Sequence, residues 1–137
     1  RKDFIQFYNQ SQDEVKEELN NIKKFKKDLN KIKSKKIEED IKIRLYASIL
    51  SDFYMAAERI FKNIAQDIDQ SLPNSDQWHK KLLRQMSIEI SDIRPQIINK
   101  DLYSIMEEYL RFRHLIRNIY GFQLKYDRFN HLVIYIL

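Results

Sequence analysis

Residues 111–122, RFRHLIRNIYGF, carry Arg111, Arg113, His114, Arg117, Asn118 and Tyr120 inside one apolar repeat. Guanidinium groups bind anions, and their planar fork matches the oxygens of a phosphate. Imidazole moves protons near neutral pH. An amide orients oxygens by hydrogen bonds, and a phenol donates or accepts them. Two arginines four apart on a helix repel each other unless an anion or a carboxylate lies between them. The combination reads as a phosphate site with a proton-transfer group beside it.

At about 100° per residue, Arg113, Arg117 and Tyr120 fall within about 60° of each other on one helix face. His114 and Asn118 lie about one further step around. Leu102, Ile105, Tyr109, Phe112, Ile116 and Ile119 form the expected core stripe of the same helix. A second reading of the polar face is a salt-bridge site, with Glu58 or Asp52 of an earlier helix as partner to the arginines.

The elements that position this segment are helical. The chain has 137 residues, one glycine, two prolines and no cysteine. Sheets and α/β folds need more turns than one glycine serves. A glycine-rich phosphate loop is excluded with them, as are disulfides and cysteine metal cages. The size suits a single domain over residues 1–137. A first helix is expected over 4–33, its stripe running from Phe4, Phe7 and Tyr8 to Leu29 and Ile32. A second spans 38–69, with Ile41, Leu45, Ile49, Phe53, Ala56, Ile60 and Ile64 as its stripe and Tyr46, Leu50, Ala57 and Phe61 widening it. Pro73 stops that helix, and Ser75 or Asp76 can cap a third over 77–90. His79 reads as a local packing or capping residue. Residues 91–99 are a connector around Pro95. Asn99 caps a fourth helix over 100–120, which Gly121 ends. Residues 126–137 form a last helix.

Twenty-five basic against twenty acidic residues leave a net charge of +5, which favours an anionic partner such as nucleic acid. The lysine-dense segment 23–36 reads as the solvated tip of a helical hairpin or as an RNA-steering patch. Glu107 and Glu108 are sequence neighbours on different helix faces and read as solvated surface. No apolar run approaches the length of a spanning helix and no signal peptide is visible, so a cytoplasmic protein without a membrane partner is expected.

The run FYMAAERIFKNIAQDID (53–69), LPNSDQWHKKLLRQM (72–86), RP (94–95) and EEYLRFRHLIRNIYGFQLKYDR (107–128) resembles the HepT-like branch of the HEPN ribonuclease toxins. The resemblance covers roughly residues 40–130 and continues through turns as well as helices. It implies an all-α, HEPN-type antiparallel bundle of four to five helices that pairs as a two-fold dimer. It also implies a metal-independent endoribonuclease without a cofactor, whose partners are RNA and a nucleotidyltransferase-fold antitoxin that attaches AMP to a tyrosine. The family motif is an arginine, an adjacent polar residue, a histidine after four intervening positions and a tyrosine two further on. On this chain these fall on Arg113, His114, Asn118 and Tyr120.

Asn118 departs from the motif, because asparagine neither takes nor gives a proton near neutral pH. Either another group does the acid–base work or nuclease activity is weak or absent. In the first case Arg113 and Arg117 grip the scissile phosphate, His114 moves protons and Asn118 orients the phosphate or sugar. A dimer pairing the fourth helix with its mate supplies two copies of each group. The rival is a silent HEPN adaptor whose arginine face binds a partner protein, a nucleotide or RNA. A general basic RNA-binding bundle ranks third, because the aromatics are expected mainly on core faces.

Overall fold

The computed structural model describes the backbone of residues 2–137 and the side chains of residues 12–137. The helices are α1 (Lys2–Ser34), α2 (Glu39–Ile64), α3 (Trp78–Met86), α4 (Lys100–Ile116) and α5 (Asn130–Ile136). Among the described residues there is no β-strand, only an isolated antiparallel bridge between Ile90 and Arg94. The all-α expectation holds. No helix among the described residues is long and apolar enough to cross a membrane.

The short connection between α1 and α2 folds them back on each other as an antiparallel hairpin. Leu29 and Ile32 bury the end of α1, as their spacing predicts. The side chains of Phe4, Phe7 and Tyr8 lie outside the described residues. The lysines of the hairpin tip are exposed.

The buried face of α2 is centred on Tyr46, Ala47, Leu50, Tyr54, Ala57, Phe61 and Ile64. The expected stripe is therefore rotated by about one residue. Ile41 and Leu45 are exposed, and Ile49, Phe53 and Ile60 are half-buried. Both lines are apolar, so periodicity alone does not choose between them; the neighbours packed against α2 do. The helix continues beyond Ile64 as a wider π turn over Ala65–Asp69. It stops at Gln70, whose φ of 54° is left-handed.

The turn delivers Asp69 to Arg94. Arg94 Nε and Nη2 donate to the two oxygens of Asp69 at 2.6 and 2.7 Å. The same guanidinium donates to the carbonyls of Gln85, Ile88 and Pro95 at 3.0, 2.9 and 3.0 Å. Both side chains are almost wholly buried, at 4% and 1% exposure. A buried ion pair of this kind is held by its complete set of hydrogen bonds. It ties the end of α2 to the segment that follows α3.

That segment corrects the third helix. α3 ends at Met86, not at residue 90, and the chain reverses through the Ile90–Arg94 bridge. The backbone N–H groups of Ile97 and Ile98 return to the Met86 carbonyl. The expected side-chain cap by Ser75 or Asp76 is not made. The Ser75 carbonyl takes the Trp78 N–H at 3.0 Å, while its hydroxyl is buried without a partner. Asn99 does cap α4: its Oδ1 accepts the Leu102 N–H at 2.8 Å.

Met106, Tyr109 and Phe112 are the buried line of α4, while Leu102 is exposed. Tyr109 packs on Phe53 with ring centroids 5.0 Å apart, and Gly121 meets Arg44 farther toward the start of α2. The α4 segment therefore packs along α2, and the turn that follows it reaches the start of that helix. The Tyr109 hydroxyl donates to the Leu132 carbonyl at 2.5 Å and anchors α5. Phe129 packs on Phe112, and Tyr126 stacks on Tyr46. Buried side chains of all five helices meet in one core. The last expected helix is shorter, because residues 126–128 form a separate 3-10 turn before α5.

Candidate functional site

The site is built at the end of α4, and the helix stops sooner than its periodicity predicts. It ends at Ile116, with Arg117 as a right-handed cap residue. Arg117, Asn118, Ile119 and Tyr120 thus leave the helix, and the expected single polar face over Arg113, Arg117 and Tyr120 is not formed. Gly121 does not terminate the helix. It opens a 3-10 turn, Gly121–Gln123, and its φ is not left-handed.

Arg113 points inward, with its side chain only 13% exposed. Its Nη1 lies 4.0 Å from Glu58 Oε1 on α2. That distance is too long for a hydrogen bond, so the attraction is Coulombic and the N–H donors of the guanidinium are not taken up by Glu58. Glu58 is itself buried, and its other oxygen, Oε2, lies 2.6 Å from His79 Nδ1. His79 in turn stacks on Trp78, over which Lys62 Nζ sits at 4.2 Å from the ring centroid. Glu58 therefore joins α3 to α4 through its two oxygens. Of the two carboxylates expected as partners, Glu58 meets Arg113; Asp52 forms no ion pair among the described residues.

His79 is more than the local packing residue its sequence position suggests. A signal was present in the sequence, since Glu58 falls on the buried line Tyr54, Ala57, Phe61 of α2. A carboxylate on a buried line needs partners. Tyr54 shares this environment. Burial pushes its hydroxyl above the usual phenol range, Glu58 pushes it the same way, and Arg113 opposes both.

His114, Arg117, Asn118 and Tyr120 are exposed. Asn118 Nδ2 donates to the His114 carbonyl at 2.7 Å, so the side chain at the motif's histidine position closes the last turn of α4. Its Oδ1 faces away from that bond and remains an acceptor. The Tyr120 N–H donates to Gln123 Oε1 at 2.8 Å, and the Gln123 N–H returns to the Tyr120 carbonyl at 2.9 Å. This reciprocal pair sets the 3-10 turn. It leaves Tyr120 71% exposed, stacked on the equally open Phe122. The expectation that aromatics lie mainly on core faces fails at these two residues.

An apolar cavity of about 280 Å³ flanks the turn, lined by Phe112, Leu115, Ile119 and Leu124 with Lys125 and Arg128 at its edge. A more open groove of about 320 Å³ lies between α1 and α2 around Glu14, Glu17, Glu18 and Arg59. It contains none of the motif residues. Glu108, expected to be solvated, is half-exposed and lies 2.6 Å from His131 Nε2. Among the described residues, no three His, Cys, Asp or Glu side chains are grouped as metal ligands would be.

The antiparallel bundle, with an arginine held against a helix-two carboxylate and polar groups clustered at the end of helix four, is of the all-α HEPN class. The family model described as HepT-like protein matches residues 45–136, and the chain belongs to that family. The match begins within α2 and takes in every residue of the candidate site. No curated protein and no solved structure matches the chain.

Proposed function

We propose that this chain acts as a single HEPN domain and as the toxin of a toxin–antitoxin pair, cutting RNA without a metal at a site shared between two copies. The observation that carries the reading is the placement of Arg113. A mostly buried guanidinium is neutralised by Glu58 without a hydrogen bond to it, and His114, Arg117 and Tyr120, exposed, follow it in the chain. Membership of the HepT-like family supports the same reading.

In this reading the 2′-hydroxyl oxygen attacks the adjacent phosphorus and the bond to the 5′-oxygen breaks, leaving a 2′,3′-cyclic phosphate. Arg113 and Arg117 offset the charge that builds on the phosphorane. His114 removes the 2′ proton, and its copy in the partner subunit protonates the leaving oxygen. Asn118 Oδ1 orients the sugar. The site lies in the cytoplasm with a nucleotidyltransferase antitoxin as partner. The antitoxin transfers AMP from ATP to Tyr120: the phenol oxygen attacks the α-phosphorus, pyrophosphate leaves and the phenol proton is released, which adds negative charge opposite the arginines and fills the RNA path. Purified chain incubated with RNA in chelator, beside Arg113→Ala, tests the nuclease; cleavage that survives in the variant refutes it. Intact mass after co-expression with the antitoxin tests the AMP transfer.

One observation favours the silent adaptor. The Asn118 amide caps α4, a structural task that needs no proton transfer. A folded dimer that binds the antitoxin but leaves RNA intact would establish that reading.

A further inference from the structure

Gly121 is the chain's one glycine, yet its backbone lies outside the left-handed region that favours glycine. Its use is steric. A Cβ built there would stand 2.9 Å from Arg44 Cζ, 3.0 Å from Nε and 3.2 Å from Cγ. The Arg44 side chain therefore lies against the backbone between Tyr120 and Phe122. Arg44 is exposed and takes part in no ion pair among the described residues.

On either side of Gly121 the rings of Tyr120 and Phe122 stand in solvent, 71% and 72% exposed. They are nearly parallel, at 11°, with centroids 5.5 Å apart. A planar base inserted between two rings needs about 7 Å, two carbon–carbon contact distances, so this pair does not admit one between them. It offers an outer face. Exposed parallel aromatics beside an unpaired guanidinium are the parts that hold single-stranded nucleic acid: the base stacks on a ring and the phosphate meets the fork. Exposed Arg117, Lys125 and Arg128 flank the turn and join Arg44, against Asp127 in residues 111–128 and Glu39 and Asp40 in the first turn of α2, so cations remain in excess. That balance selects a polyanion over a neutral protein surface.

We infer that Phe122, backed by Tyr120, is a stacking platform for a base of single-stranded RNA, and that Arg44 takes the phosphate of the same nucleotide. The inference rests on the nuclease reading for the identity of the polyanion. It makes α2 a contributor of an RNA ligand and gives Gly121 the role of leaving space for it.

The test is fluorescence anisotropy with a short mixed-sequence 2′-O-methyl RNA, which lacks the attacking hydroxyl and cannot be cut. An abasic strand of equal length and charge runs beside it. Wild type is expected to prefer the base-bearing strand. Phe122→Ala should weaken binding to that strand by about tenfold and leave the abasic strand unaffected, with Phe122→Trp restoring the preference. Arg44→Ala should weaken both strands alike and make the logarithmic salt slope shallower by about one unit. Gly121→Ala should shift binding in the same direction by displacing Arg44. Unchanged affinity of Phe122→Ala for the base-bearing strand overturns the inference. So does the case in which that variant loses only the nucleotidyltransferase partner, which would make the platform a protein contact. A parallel cleavage assay separates the two readings. Base-dependent binding without cleavage removes the nuclease and keeps the platform; cleavage with an unchanged KM in Phe122→Ala and Arg44→Ala does the reverse.

Discussion

Glu58 Oε1 lies 4.0 Å from Arg113 Nη1, while its Oε2 lies 2.6 Å from His79 Nδ1. One buried carboxylate on α2 thus holds the motif arginine of α4 and a histidine of α3 at once. The guanidinium is thereby positioned against a counter-charge without a hydrogen bond to it. Glu58→Gln keeps the side-chain shape and removes the counter-charge. It should lower unfolding stability by about 1–3 kcal/mol, because a mostly buried cation loses its partner. A double-mutant cycle in urea with Arg113→Met should give a coupling of about 0.5–3 kcal/mol. Additive losses would mean that the two groups do not interact.

Arg113 and Arg117 should separate in their effects. Arg113 is largely buried and Arg117 is exposed beyond the helix end. Arg113→Ala should abolish RNA cleavage and also lower the unfolding midpoint. Arg117→Ala should lower cleavage about tenfold or more with stability unchanged within about 0.5 kcal/mol. Cleavage rates and urea curves on the same preparations check both. Equal loss of stability in the two variants would contradict the placement of Arg117.

Asn118 gives a prediction with opposite signs for two substitutions. Asn118→Ala removes the bond to the His114 carbonyl and should cost about 0.5–1.5 kcal/mol. Asn118→His supplies a group that titrates near neutral pH at the motif position. It should raise the single-turnover cleavage rate by at least about tenfold if proton transfer limits the reaction. A rate at or below wild type would assign the acid–base work wholly to other groups.

The Arg94–Asp69 pair should dominate stability without touching the site. Asp69→Asn leaves a buried guanidinium without its carboxylate, and a loss of about 3–5 kcal/mol is expected in urea unfolding. Arg94→Lys should not rescue the fold, since a lysine cannot reproduce the two-pronged contact with Asp69 and three carbonyls. Wild-type stability in Arg94→Lys would show that charge alone holds this turn.

Alkaline pH should expose the buried tyrosines. Burial raises the hydroxyl pKa of Tyr54 and Tyr109 strongly and that of Tyr46 more weakly. The unfolded chain releases these protons near pH 10 while the folded chain retains them. Stability from these groups is therefore complete below about pH 10 and falls as pH rises beyond it. Tyrosinate absorbance should show a late-titrating fraction that merges with unfolding. Tyr54→Phe should remove part of it.

Much of this architecture was legible in the sequence. A chain with one glycine and long apolar periodicities has no route to a sheet, and the five helices and the Asn99 cap follow from local rules. The motif positions Arg113, His114, Asn118 and Tyr120, with Arg117 among them, were visible as a polar interruption of an apolar repeat. What local rules left open was which of two adjacent apolar lines of α2 faces the core, because both satisfy the same period. They also misplaced the end of α4. Residues 117–120 continue a helical pattern, yet the chain leaves the helix after Ile116, where Asn118 closes the last turn and the Tyr120–Gln123 pair starts a new one.

By itself the sequence determined composition, helix content and the identities of the polar groups at the end of the fourth helix, all properties of residues and their near neighbours. The tertiary structure decided that Glu58 meets Arg113 and His79, that Asp69 meets Arg94, and that Arg44 reaches the space left by Gly121. These partners stand between 21 and 77 positions apart in the chain. No periodicity encodes such distances. They are set when helices with interchangeable apolar faces pack in the one arrangement that also satisfies their buried charges.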